Sequence, residues 1–473
     1  MMSRYVARLG VFLMAVAGGG CATLGPDRGR IETDRLAGAR SSPALEWAQS
    51  PTADADAAAL REQPMTPVNA VQMALLRSPR LQQEYARLGL IRADVQEAIQ
   101  IANPRLSARR LTGGGLVSTT LGLAMPLVDL LVLPSRVRLA RADQERAKRE
   151  IAASILAVTV DVEAGWYEYA GAQQIADMRA TVAKGMVTSA DLAQRFFEAG
   201  NINELQLKQE QAAASQARID AARARAGAQR ARLQLNTLIG LSGPDADWPV
   251  SAQLPSPIAE EDSAEILQSL SRNTNLQLMA ARQEVLVTEE SLAVIRRFRL
   301  LGGTQIGYER EREPEVNGPR VKGPTLDLEL PIFNQGQARV ARAQALAAQA
   351  RARLGQLELV AGNAVRLGVE QVRVLREIVE THRDVLIPQR ESVVARSQEQ
   401  QNYMIIGVFE LIQAKRQEYD AYQSYLESIR DYWLARTDLM RAVGARLPSE
   451  SAATMGPGMK EPETLVQTPG GQR

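Results

Sequence analysis

Few side chains in this sequence could do covalent, redox or metal chemistry, and their spacing keeps them apart. The chain holds one histidine, His382, and one cysteine, Cys21. Neither a catalytic triad nor a histidine metal cluster can be assembled from one imidazole. One cysteine allows no intramolecular disulfide. Met178, Met186, Met279, Met404 and Met440 stand singly, without the soft-ligand clustering that copper or silver requires. No P-loop, nucleophile–base pair or metal motif occurs, so neither an enzyme nor a resident cofactor or metal is expected. The acids that do form a pattern are Asp327 and Glu329, which alternate with Leu326, Leu328 and Leu330. Alternation is the period of a β-strand, and it puts the carboxylates on one face and the leucines on the other. Such acids either bias passing ions or are simply solvated.

The same word occurs twice. Thr120-Leu121-Gly122-Leu123-Ala124-Met125-Pro126 in the first half matches Thr325-Leu326-Asp327-Leu328-Glu329-Leu330-Pro331 in the second. A strand that is greasy on one side and small or charged on the other suits a barrel with lipid outside and water inside. Around each copy the spacing predicts very long helices. In the first half, Thr66 and Pro67 open a helix running to about residue 102, stopped by Asn103-Pro104. Strands follow at 105–111 and 117–127. A helix over 135–198, roughly 95 Å at 1.5 Å per residue, ends at Ala199-Gly200-Asn201, and Asn203 with Gln206 forms a possible capping box for the next helix. The second half repeats this order: a helix opened by Asp262 and Glu265 and ending near Arg299, strands at 303–310 and 321–332, a helix over 337–404, a break at Ile406-Gly407-Val408, and a last helix over 410–445. Pro388 is expected to kink the long helix.

The chain ends read differently. Residues 1–20 resemble an export signal, with Arg4 and Arg8 before a short apolar run and Gly18-Gly19-Gly20 before Cys21. The run is too short to span a bilayer. A cysteine in that place resembles the acylated first residue of a bacterial lipoprotein, and Ala22 lacks the Asp that holds such proteins in the inner membrane, so outer-membrane anchoring is expected. The resulting plan is signal peptide 1–20, lipidated extended linker 21–65, first repeat 66–241, linker 242–261, second repeat 262–447 and disordered tail 448–473.

Aromatic residues make up only 4% of the chain and the net charge is +2. Ala, Arg, Gln, Glu and Leu dominate, as in long helices with narrow apolar stripes. Arginines interleave with acids and make no basic field, which argues against nucleic acid as partner. The fold class is mainly α with a small β part. Four strands cannot close a barrel, since single-chain barrels start at about 8, and open edges cannot be left in hydrocarbon. Several copies must contribute, and three giving twelve strands is the smallest comfortable solution; the helices then form a second, helical barrel.

The duplication, the Leu-Asp-Leu-Glu-Leu-Pro-Ile-Phe-Asn-Gln-Gly-Gln junction, the Asn103-Pro104 helix end and the glycine-centred breaks together resemble the TolC outer-membrane efflux family over about residues 66–447. The resemblance implies a homotrimeric channel-tunnel inserted in outer-membrane lipid. Its helical tube would reach through the periplasm to an inner-membrane pump and a periplasmic adaptor. It makes Ala199, Gly200, Asn201, Ile406, Gly407 and Val408 the adaptor-contacting tips, and Glu410 with Gln413 a constriction where three copies converge and attract cations. Asp327 and Glu329 would face the barrel lumen. The first junction departs from the family, because Val128-Asp129-Leu130-Leu131-Val132-Leu133-Pro134 replaces a short glycine-containing turn. The competing reading is a periplasmic adaptor-like coiled-coil lipoprotein, but adaptors carry one hairpin and here there are two.

Overall fold

The computed structural model describes residues 30–38, 53–113, 116–249, 253–312 and 320–449. The expected signal and Cys21 lie outside them, as does nearly all of the expected tail. In chain order the elements are α1 (Arg30–Gly38), α2 (Ala53–Arg61), α3 (Pro67–Arg77), α4 (Pro79–Ile99), β1 (Arg105–Gly113), β2 (Leu116–Pro126), α5 (Leu127–Glu198) and α6 (Glu204–Ile239). A short 3-10 turn (Gly243–Ala246) leads to α7 (Ala264–Thr274), α8 (Leu276–Phe298), β3 (Gln305–Arg312), β4 (Arg320–Asp327), α9 (Gln337–Thr381), a π turn (His382–Leu386), α10 (Ile387–Asn402) and α11 (Val408–Val443). The two halves are two copies of one plan. At 1.5 Å per residue, the 72 residues of α5 span about 108 Å.

Both helices expected to precede the strands are broken in two. Ser78, at φ −64° and ψ 121°, separates α3 from α4, because the ring of Pro79 excludes the helical region for the residue before it. In the second half Asn275 takes nearly the same conformation without a proline. Its Oδ1 accepts from the backbone N–H of Gln277 (3.0 Å) and Leu278 (3.2 Å), capping α8.

The two strand-to-helix junctions also differ. Helix α5 starts at Leu127, directly after the strand, and carries Pro134 inside its opening turns, whereas the sequence suggested a start near 135. The Leu127 N–H donates to the Thr304 carbonyl at 3.0 Å, fixing this continuous junction to the start of β3. In the second copy β4 stops at Asp327, short of the expected 332, and an irregular link leads to Gln337. The extra residues 128–134 are thus helix, not loop. Farther down, Pro388 does not break its helix. The preceding π turn, in which Ile387 N–H reaches the His382 carbonyl, widens the ladder just where a proline ring would otherwise strike the carbonyl four residues back.

The main core lies midway along the helices. Ile151, Ile155, Val162, Trp166 and Tyr169 of α5 meet Leu235 and Ile239 of α6, Val365 and Val372 of α9, and Tyr432 and Leu439 of α11. Tyr167 stacks on Trp433 with centroids 4.9 Å apart and planes 14° apart. A belt of non-helical chain wraps this level, and tryptophans pin it: Trp166 Nε1 donates to the Met65 carbonyl (2.6 Å), Trp433 Nε1 to the Pro255 carbonyl (2.8 Å) and Trp248 Nε1 to Asn236 Oδ1 (2.8 Å). The buried Arg436 guanidinium donates to Glu261 of the same belt and to Ser449 Oγ at 3.1 Å.

The stretch expected to be an extended linker, 21–65, contains helices α1 and α2, and Ala37, Ala57 and Met65 enter the core. Lys148 Nζ holds α1 through Glu32 (2.5 Å) while also meeting Glu145 (2.8 Å), and Tyr85 donates to Asp34 at 2.7 Å. Nine-residue helices are too short to be stable alone. Their order comes from contacts with distant residues, which periodicity cannot show.

Candidate functional site

The four strands form one antiparallel sheet in the order β1-β2-β3-β4. Residues directly opposite one another share a face, so the register assigns both faces. One carries the rows Met125–Ile306–Leu326 and Leu106–Leu123–Tyr308–Pro324; the other carries Gly122–Glu309–Gly323 and Gln305–Asp327. Leu106, Leu123 and Leu326 are 74%, 50% and 64% exposed. An apolar face this open on a sheet has no cover among the described residues. Leu326 and Asp327 therefore lie on opposite faces, as their alternation required. Glu329 departs from expectation. It falls beyond the end of β4, and a Cβ placed on Gly303, at φ +75°, would run into its carboxylate. It packs on that turn and belongs to no strand row.

At the far end of the helices the chain reverses twice. In the first tip Ala199 closes α5, Gly200 takes φ +73°, and Asn203 with Gln206 forms the expected capping box, with bonds of 2.9 and 3.3 Å. In the second tip the left-handed position belongs to Met404, at φ 57°, and not to a glycine. Gly407 sits at φ −75° and ψ 156° as the N-cap of α11, a conformation open to any residue. Ile406 is half-buried beside it and Val408 begins α11. Tyr403, Met404 and Ile405 are 79%, 91% and 70% exposed.

The tips touch each other through Phe196 and Phe409, edge to face with centroids 6.0 Å apart. Sequence reading missed this pair, although Phe409 directly follows the Ile406-Gly407-Val408 break. Glu410 stands in the first turn of α11 and Gln413 one turn on, both exposed. Above them the two hairpins are tied by Arg179 and Asp420 at 3.0 Å, while within the second hairpin Arg390 donates to Gln417 (2.8 Å) and Tyr422 to Glu391. Burial, and then the Glu391 carboxylate that it serves, push the Tyr422 phenol well above its ordinary range. His382 is half-buried in the π turn, and its buried Nδ1 has no hydrogen-bond partner among the described residues.

Among the described residues, no helix is long and apolar enough to cross a membrane. The sequence family described as Outer membrane efflux protein matches residues 70–241. No curated protein matches the chain. Solved structures share the fold. A membrane protein from Pseudomonas aeruginosa, 19% identical, covers 80% of this chain and 92% of its own with a TM-score of 0.68. The outer membrane protein VceC of Vibrio cholerae, 13% identical, covers 80% and 96% with a TM-score of 0.65. The MtrE outer membrane channel of Neisseria gonorrhoeae in its open state, 16% identical, covers 80% and 89% with a TM-score of 0.64. Over residues 70–241 the chain thus matches the Outer membrane efflux protein family, and over about four fifths of its length it shares the fold of these solved outer-membrane proteins.

Proposed function

We infer that the chain is the outer-membrane channel-tunnel of a tripartite efflux system, a passive exit duct for compounds that an inner-membrane pump supplies through a periplasmic adaptor. The observation that carries this reading is the sheet. It has one apolar, exposed face, and the outer edges of β1 and β4 have no strand partner among the described residues. Successive strands are antiparallel, so β1 and β4 run in opposite directions, and β4 of one copy can pair antiparallel with β1 of the next. Backbone groups at such edges cannot be left unpaired in hydrocarbon. Three copies then give a twelve-stranded barrel.

The helices support the same closure. On α6, Leu205, Ala212, Ile219, Ala226 and Leu233 recur every seven residues and are all exposed. On α9, Val360, Leu367 and Val374 do the same. Helix α6 packs on α5, which packs on α11, which packs on α9, so these two stripes occupy opposite margins of the helical layer. Seven-residue apolar repeats are the spacing of coiled-coil seams, and margins of one copy fit those of the next. A periplasmic adaptor has no use for a second hairpin or an amphipathic sheet.

In this reading Cys21 carries the lipid anchor, and residues 199–201 and 406–408 dock the adaptor. Glu410 with Gln413 lines the narrow end, and Asp327 faces the lumen. Light scattering of the detergent-solubilised protein is expected to give a trimer, and planar bilayers to show channels. A stable monomer that still inserts into bilayers would overturn the closure.

A further inference from the structure

The outward face of the sheet changes character along its length. Above the two apolar rows, the register places Ala108–Leu121–Arg310–Lys322 and then Arg110–Thr119–Arg312–Arg320. Five cations, Arg110, Arg310, Arg312, Arg320 and Lys322, thus occupy neighbouring positions on one face, and all are exposed. The acids of the same strands, Glu309 and Glu311, point to the other face, where Glu311 accepts from Ser118 Oγ at 3.0 Å. None of the five cations has an ion-pair partner among the described residues. Among the described residues, every charge on the outward face is positive.

The position of this patch follows from the chain path. Strand β2 enters α5 at Pro126 and β4 runs toward α9 from Asp327, so the cationic rows lie at the end of the sheet remote from the helices. Below them the apolar positions Pro324 and Leu326 continue β4 toward the helices, about 13 Å from Lys322 to Leu326 at 3.3 Å per residue. Tyr308 sits at the boundary, as aromatic residues do where hydrocarbon meets headgroups. Cations immediately beyond an apolar band meet the headgroup layer of the far leaflet.

We propose that this face is a binding girdle for the phosphorylated glycolipid of the outer leaflet, its arginines and lysine pairing with the glycolipid phosphates. The proposal rests on the barrel reading, which sets the face outward. Charge complementarity selects the occupant. Guanidinium groups pair with phosphate in bidentate fashion, and two adjacent rows of cations fit a headgroup carrying two phosphates better than a zwitterionic lipid whose own amine repels them. In a trimer the girdle would hold three such patches.

The test uses the full-length trimer in nanodiscs and native mass spectrometry with bis-phosphorylated lipid A, dephosphorylated lipid A and phosphatidylglycerol as probes. Wild-type protein is expected to retain bis-phosphorylated lipid A at least ten-fold better than the other two, and to lose that preference at high salt. The variant Arg310→Gln/Arg312→Gln/Lys322→Gln is expected to lose ten-fold or more in retention, while Arg105→Gln/Arg109→Gln, on the other face of β1, keeps it. Equal retention of dephosphorylated lipid A or phosphatidylglycerol by wild type overturns the girdle, and that comparison holds even if the triple variant does not assemble. Planar-bilayer recording on the same preparation separates the two readings: channels without glycolipid preference sink the girdle alone, and absence of channels sinks the barrel together with it.

Discussion

At the scale of single residues, the two tip glycines are not equivalent. Gly200 holds a left-handed backbone conformation, whereas Gly407 is extended and a Cβ there would meet nothing within 4 Å. Replacing Gly200 by leucine should cost about 1–2 kcal/mol of local stability, the penalty of a β-carbon in the left-handed region. Gly407→Leu should leave thermal unfolding unchanged and still abolish export if the tip docks an adaptor. Loss of export by Gly407→Leu with an intact trimer therefore reads docking directly; normal export by that variant removes residue 407 from the interface. The left-handed Met404 reverses the expectation that glycine must carry each break.

At the scale of elements, helix α1 is a short strap clamped by one partly buried ammonium. Burial lowers the affinity of Lys148 for its proton, but the carboxylates of Glu145 and Glu32 outweigh it and hold the group above its ordinary 10.5. A folded value raised above the unfolded one stabilises the folded form fully at pH below 10.5, and the contribution is lost as pH rises through the folded value. A spin label at Arg35→Cys should accordingly gain mobility only above that range. Lys148→Met should free the strap at neutral pH, raising amide exchange over 30–38 by roughly ten-fold through local opening while leaving α5 and α11 protected. Unchanged exchange in that segment would place the hold on Asp34 and the apolar contacts of Ala37 instead.

At the scale of the whole molecule, in the proposed trimer one chain would supply a third of each wall, and properties of the bore would arise only where copies meet. Glu410 is exposed in the chain by itself; in a trimer three such carboxylates would ring the narrow end. Removing them by Glu410→Ala is expected to raise single-channel conductance and weaken cation preference in planar bilayers. Unchanged conductance and selectivity would put the constriction elsewhere, with Tyr403, Met404 and Ile405 as the exposed groups nearest the same tip.

The sequence by itself determined the four strands with their two faces, the capping box at Asn203 and the glycine break at Gly200, because each is written in residues a few positions apart, and the duplication, because the same local word recurs in both halves. Period two and cap chemistry are local, and local patterns survive without the fold. Tertiary structure decided the rest. The order in 30–38 and 53–65 depends on Lys148, Tyr85 and Trp166, far away in the chain. Asn275 breaks its helix with no proline to announce it, and the π turn absorbs Pro388, which reads as a kink. The cationic rows became visible only through register: Arg110 and Lys322 lie in different halves of the chain, and pairing of four strands is what brings them onto one face.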